Sequence, residues 1–289
     1  MSLAEIVPIA LQLSLALGVF ATALESTKGT LPFLFRRPGL LARSLIAMFV
    51  VMPVFALAIA GAFDLLRGLE IALFALALSP VPPILPAKQI KAGGEASYAL
   101  ALLMVSALVS IVVVPTAVHL VGWGLGRPLE VPLGPLVKIA LTSLVVPLLL
   151  GVAVRIGAPA FAKRFSRKLA MAANVLLALA VLPVLIGSWH NIVALVGNFT
   201  LLAIAAFVVV GLAVGHLLGG PDEEDRTVLA LATATRHPAI AIAIGHAIAP
   251  GQKTVAAAAL LFLLAATALS VPYVKWRIGR SAAVARPTS

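Results

Sequence analysis

Long apolar runs, separated by short breaks of glycine, proline or charge, make up almost the whole chain. A helix needs about 20 apolar residues to cross a membrane, and only helices and closed barrels satisfy their backbone hydrogen bonds in lipid. The runs do not alternate polar and apolar residues, which excludes a barrel. The sequence therefore predicts an all-α membrane protein. Its nine predicted transmembrane helices are 5–24, 39–60, 69–90, 95–120, 133–155, 168–188, 195–218, 226–248 and 253–276.

The composition requires lipid as the outer solvent. Of the 289 residues, 62% are hydrophobic and 11% are charged, and the mean hydropathy is +1.14. A soluble domain is usually about 45–50% apolar and about 25% charged. The absence of cysteine excludes disulfides, thiolate metal sites and cysteine nucleophiles. The net charge of +11 does not indicate nucleic-acid binding, because the charges lie in short loops and form no continuous basic face.

The basic residues predict the orientation, since short cytoplasmic loops carry the excess of lysine and arginine. Placing residues 25–38 inside puts most basic residues, including those of the loop at Lys88 and Lys91, on the cytoplasmic side. The N-terminus is then outside and the C-terminus inside, in the cell (inner) membrane. No loop is long enough to fold separately. Residues 1–276 are predicted to form one transmembrane domain, and residues 277–289 a disordered cytoplasmic tail.

Proline interrupts the third predicted helix. The segment SPVPPILPAK, residues 79–88, cannot continue as a straight helix, because each proline removes a backbone donor and clashes with the preceding turn. Its prolines are Pro80, Pro82, Pro83 and Pro86.

The eighth predicted helix has a similar break, where Arg236 and His237 precede Pro238 in an apolar stretch. The two broken helices lie five helices apart and therefore cross the membrane in opposite directions. Matched interrupted helices of opposite direction are typical of an inverted-topology repeat. The half-repeats would be residues 5–120 and 133–276.

The two breaks predict a cationic pocket near the membrane midplane. Freed backbone groups must face protein or a watery cavity. Half-helices that start near Pro83 and at Pro238 would direct their positive N-terminal ends toward the pocket, where amides attract anions. Arg236 adds a full charge. The candidate substrate-binding residues are Ser79, Pro82, Pro83, Pro86, Thr233, Thr235, Arg236, His237 and Pro238.

Several of these residues also have a purely structural interpretation. Arg236 could extend to the interface, although a charge deep in a membrane is functional by default. His237 is either a core histidine or a proton carrier that couples transport to a proton gradient. Thr233, Thr235 and Ser79 could bond to their own helices. Asn174 could join helices or line the cavity.

Four segments, taken together and in order, resemble the bile acid:sodium symporter family. That resemblance implies a panel domain, a core domain with two crossing broken helices, and secondary active transport of an organic anion by alternating access. The segments are LFRRPGLLARSLIAMFVVMPVFALAIA, LSPVPPILPAKQIKAGGEASYALALLMVSALVSIVVVPT, PLVKIALTSLVVPLLLGVAVR and TATRHPAIAIAIGHA.

The chain departs from the family at the positions where side-chain oxygens are expected to bind sodium. Because sodium needs several hard oxygen ligands, the resemblance does not carry sodium coupling to this chain. We hypothesise that Arg236 is a built-in cation that replaces sodium. A proton-coupled or uncoupled anion exchanger is the alternative. The departing positions are Met48, Leu85, Pro86, Ala99, Leu103, Ala232 and Arg236.

Two other classes are rivals. An intramembrane enzyme needs a nucleophile with a base, or clustered carboxylates for a metal, but every acid lies in a loop or at a helix end. A ligand-binding membrane sensor usually carries a signalling domain, which the short tail does not suggest. The predicted partners are the lipid bilayer and a small organic anion, with protons or sodium as candidate driving ions. No enzyme activity, cofactor, metal or nucleic acid is expected.

Overall fold

The computed structural model describes residues 3–26, 30–124, 134, 138, 141–197, 199–249 and 251–284. Within these residues the chain is helical and contains no β-strand, which confirms the all-α prediction. By length and composition, six of the described helical segments can cross a membrane, so the protein is an integral membrane protein. They are Pro38–Ala62, Ala96–Trp123, Pro159–Gly187, Thr200–Leu218, Glu223–Ile248 and Thr254–Arg280.

The first part of the chain contains three long helices and one interrupted pair, which consists of the two short helices on either side of the proline-rich segment. The helix bounds are α1 Leu3–Leu24, α2 Thr30–Phe33, α3 Pro38–Ala62, α4 Arg67–Leu78, α5 Leu85–Lys91 and α6 Ala96–Gly124.

The second part contains the other interrupted pair, which consists of the two helices on either side of residues 235–237. The helix bounds are α7 Leu141–Gly157, α8 Pro159–Gly187, α9 Trp189–Ala194, α10 Thr200–Leu218, α11 Glu223–Ala234, α12 Pro238–Ile248, α13 Lys253–Leu269 and α14 Val271–Val284.

The helices pack in two groups. In one group, α1 lies against α7 and α8. A Cβ at Gly151 of α7 would approach the Phe20 carbonyl of α1 to 2.7 Å, so glycine permits this close packing. In the other group, α13 packs against α4, α10 and α12, and α10 packs against α11. The two interrupted pairs therefore belong to the second group.

Helices α10 and α11 approach each other along a row of glycines. A Cβ at Gly211 would lie 2.9 Å from the Cα of Ala234, and one at Gly215 would lie 2.5 Å from the Cα of Ala230. Gly219 faces the backbone of Arg226 in the same way. Small residues four apart allow membrane helices to make close backbone contact. This row fixes the position of α11 up to the residue where it ends.

The two largest errors in the predicted helix boundaries lie at the start of α8 and at the C-terminal end. Helix α8 begins at Pro159 rather than at residue 168, because its first turns carry exposed basic residues and extend beyond the apolar run. The predicted disordered tail is helical through Val284, since Arg277 is buried and donates to Glu223 and to Thr227 of α11. Most of residues 133–140 in the predicted fifth helix, and residues 285–289, lie outside the described part of the chain.

Candidate functional site

The proline-rich segment breaks the third predicted helix as expected. Helix α4 ends at Leu78, and α5 begins at Leu85, two residues after the predicted start near Pro83. Between them, Val81 donates its amide to Oγ of Ser106 at 3.2 Å. A hydroxyl of the neighbouring α6 thus satisfies a backbone donor that the break releases.

The second break lies where the sequence predicts it. Helix α11 ends at Ala234, and α12 begins at Pro238, whose missing amide proton suits the first helical position. His237 caps α12, because its Nδ1 accepts a 3.4 Å hydrogen bond from the amide of Ile240. The N-terminal end of α12 is therefore fixed by a side chain of the break itself.

The two breaks meet at Ser79, the residue that follows α4. The amide of His237 donates to Oγ of Ser79 at 3.1 Å, and Arg236 Nη1 donates to the Ser79 carbonyl at 3.1 Å. Oγ of Ser79 itself donates to the carbonyl of Leu76 at 2.8 Å. These contacts join the two interrupted pairs directly.

Arg236 also binds a carbonyl of α3 that has lost its helical donor. Residues Ala47–Val51 form a π-helical turn, in which the amide of Met52 donates to the Ala47 carbonyl. The next donor in this pattern for the Met48 carbonyl would be Pro53, which has no amide proton. Arg236 Nη2 supplies the hydrogen bond at 2.7 Å. The guanidinium thus satisfies one carbonyl of α3 and one carbonyl of the first break.

The structure places Arg236 behind the wall of the expected pocket. Its side chain is 0% exposed, and its guanidinium carbon lies 5.9 Å from the centre of the Phe49 ring. Thr233 is also buried and donates to the Leu229 carbonyl. These two residues and Ser79 are not among those that line the cavity described below. All three satisfy backbone carbonyls instead, which draws their side chains away from open space.

A cavity of about 380 Å³ lies between the two groups of helices. On one side it is lined by α1 and α8, and on the other by both breaks and α13. Most of the lining is apolar, with side chains such as Leu15, Leu177, Ile242 and Leu263. The predicted site residues in the lining are Pro82, Pro83, Pro86, Thr235, His237 and Pro238.

Two polar side chains of the second break meet this cavity with unused hydrogen-bonding capacity. Nε2 of His237 and Oγ1 of Thr235 are buried and have no partner among the described residues. Because Nδ1 of His237 accepts a hydrogen bond, a neutral ring carries its proton on Nε2. Both groups can therefore donate to a ligand beside the N-terminal end of α12.

The cavity is also lined by polar groups that the predicted site did not include. Glu25 follows the C-terminal end of α1, Lys88 lies on α5, and Thr267 lies near the end of α13. Asn174 of α8, left open between two roles, is in the lining as well. Lys88 was expected in an inside loop. Its position within the predicted span 69–90 is the sequence signal that could have placed it in the site.

Comparison with known families gives a match over most of the chain. The sodium bile acid symporter family matches residues 12–195, which include the first break and end before the second. No curated protein matches the chain. The family match therefore covers Lys88 and the prolines of the first break, whereas the second break with Arg236 and His237 lies outside it.

Proposed function

The chain belongs to the sodium bile acid symporter family, and from this membership we propose that it carries an organic anion across the membrane by alternating access. Its family and its apolar helices identify it as a membrane transporter of the bile acid symporter type. The observation that carries the proposal is the cavity between two groups of helices, with donors of the second break in its wall.

The proposed moving parts follow the packing. Helices α1, α7 and α8 would form the panel, and the interrupted pairs with α3, α6, α10 and α13 would form the core. We propose one transporter domain of nine spans over residues 1–276, with inverted half-repeats 5–120 and 133–276. The cytoplasmic C-terminus is part of the same proposal. In that orientation Glu25, Lys88 and Thr267 lie toward the cytoplasm, which supports an inward-facing cavity.

The lining of the cavity supports a substrate with an apolar body and one anionic group. The apolar side chains would bury the body of the substrate. His237 Nε2, the Thr235 hydroxyl and the end of α12 would donate to its oxygens, as helix N-termini do for anions. In this role His237, Thr235 and Pro238 contact substrate, whereas Ser79, Thr233 and Arg236 support the break. The prolines Pro82, Pro83 and Pro86 shape the opposite wall.

Arg236 supports a sodium-independent mechanism. Its guanidinium donates to carbonyls of Ser79 and Met48, which are hard oxygen groups that could otherwise face a cation. Sodium needs several such oxygens, and a guanidinium already uses these two. We propose that Arg236 is the built-in cation of the crossing. The unpartnered Nε2 of His237 favours a second candidate, an anion exchanger coupled to protons.

Uptake by purified protein in liposomes tests the proposed function. We expect accumulation of at least one anion from cholate, octanoate and octanesulfonate, at equal initial rates in sodium and in potassium. An imposed proton gradient separates the two candidates, since it accelerates uptake only in the proton-coupled one. Uptake of none of these anions would contradict the substrate class, and a rate that rises with external sodium would contradict the role of Arg236.

A further inference from the structure

Lys88 lines the cavity from the core side, on the half-helix that follows the first break. Its side chain is half-buried, and its Nζ donates to Oγ of Ser270 at 2.6 Å. We propose that Lys88 provides the positive charge that binds the anionic group of the substrate, in addition to the uncharged donors of His237 and Thr235. This inference rests on the proposed function and names a contact that the sequence prediction assigned to Arg236.

The ammonium of Lys88 is positioned and still has free donors. An ammonium has three N–H groups, and the hydrogen bond to Ser270 uses one of them. Ser270 is fully buried, and its hydroxyl donates to the Thr267 carbonyl at 3.1 Å. The remaining N–H groups can reach a carboxylate or sulfonate in the cavity, where a lower dielectric strengthens such a bond.

The distribution of charge favours Lys88 over the other cations. Among the described residues that line the cavity, Lys88 is the one lysine or arginine. Arg236 is 0% exposed and donates to carbonyls away from the cavity. A substrate anion that enters between the two helix groups therefore meets the ammonium of Lys88 without any rearrangement of the break.

Lys91 provides a matched control that separates a purely structural role of Lys88 from a role in substrate binding. A cation in the last turn of α5 stabilises that helix end, and Lys91 occupies the same last turn. Lys91 is exposed and is not among the residues that line the cavity. Substitution of either lysine removes a helix-end charge, but only Lys88 can lose a contact with substrate.

Binding titrations on purified full-length protein test the proposal, with the anion of highest affinity among cholate, octanoate and octanesulfonate as probe. We expect Lys88→Gln to raise the Kd by about tenfold or more, since hydrogen bonds to charged groups are the strong ones. Lys91→Gln should leave the Kd within about twofold of wild type. Lys88→Arg, which keeps the charge, should recover part of the affinity.

An uncharged probe shows whether the lost contact is made to the anionic group. Octanamide has the apolar chain of octanoate without its charge, so Lys88→Gln should leave binding of octanamide unchanged. Equal Kd values for the anion in Lys88→Gln and Lys91→Gln would overturn the assignment of Lys88 while the proposed transport function stands. Failure of every anion to bind the wild-type protein would instead contradict the proposed function.

Discussion

Arg236 is a buried cation that backbone carbonyls hold in place. It donates to Ser79 and Met48, and the described residues place no carboxylate within ion-pair distance of it. Transfer of an unpaired charge from water into protein is costly, and hydrogen bonds offset only part of that cost. The hydrogen bonds to both sides of the crossing and the cost of keeping the charge together indicate that it serves the crossing of the breaks.

Substitution of Arg236 tests this role. We expect Arg236→Gln to lower anion uptake about tenfold or more, because a neutral amide cannot replace the charge-assisted bonds to the carbonyls of Ser79 and Met48. Arg236→Lys should retain measurable uptake because it retains the charge. Uptake is compared at equal reconstituted protein, with size-exclusion elution and thermal midpoint as controls for folding. Wild-type uptake by Arg236→Gln would show that the charge is dispensable.

Helix α11 depends on the glycine row of α10 for its position beside the second break. We expect Gly215→Ala to destabilise the protein by about 1–3 kcal/mol, the usual cost of overpacking, because the new Cβ would meet the Ala230 backbone at 2.5 Å. It should also lower uptake by shifting the break. Thermal unfolding in detergent measures the first effect.

Gly61→Ala is the matched control for this prediction. Gly61 lies in α3, and a Cβ there would have nothing within 4 Å. The substitution should leave stability unchanged or raise it slightly, because glycine costs a helix about 0.5–1 kcal/mol relative to alanine. Equal thermal midpoints for Gly215→Ala and wild type would contradict the close packing of α10 against α11.

The sequence predicts the positions of both breaks, because proline has a strong local effect on a helix. It does not predict which way the side chains of the breaks point. Arg236 points away from the cavity because it donates to the carbonyl of Met48. That carbonyl lacks a donor from its own helix because α3 has a π-helical turn directly before Pro53. Lys88 reaches the cavity because α5 packs beside Ser270. Both facts follow from contacts between helices distant in sequence.

Local patterns also left two helix ends unidentified. The basic start of α8 resembles a loop by composition, but its exposed side chains do not require apolar surroundings. The end of α14 is helical because Arg277 and Arg280 pair with Glu223 of α11. A tertiary ion pair of this kind has no signature in the local sequence of the tail.

The cavity carries opposite charges on its two sides. Glu25 belongs to the group of α1, and Lys88 belongs to the group that contains the breaks. Partial burial raises the pKa of the Glu25 carboxyl above its ordinary value. Arg155 is a charged group near Glu25, since its Nε donates to the carbonyl of Ser26, and His237 lines the same cavity. While it is ionised, the carboxylate of Glu25 would oppose an anion that enters the cavity.

Loss of this negative charge should strengthen anion binding. We expect Glu25→Gln to lower the Kd for octanesulfonate at about pH 7.5 by a factor of about two to five. In the wild type the same gain should develop as the pH falls toward about pH 5 and Glu25 takes up a proton. Octanesulfonate stays ionised throughout, so its own titration does not contribute.

The Glu25→Gln variant also separates the effect of Glu25 from that of His237, which lines the same cavity. If protonation of Glu25 causes the effect, Glu25→Gln should show a flat Kd across this pH range. An equally steep pH dependence in Glu25→Gln and wild type would instead assign the effect to His237.

Because Arg236 is covalently part of the chain, its positive charge returns with the protein to the starting state in every transport cycle. Unlike a bound sodium ion, Arg236 cannot be released on the far side, so in a cycle without coupled protons the net electric charge moved is that of the cargo alone. An inside-negative voltage acts on an elementary charge with about 2.3 kcal/mol per 100 mV. For a monovalent anion that force points outward, so a carrier of this kind without proton coupling would release the compound from an energised cell rather than concentrate it.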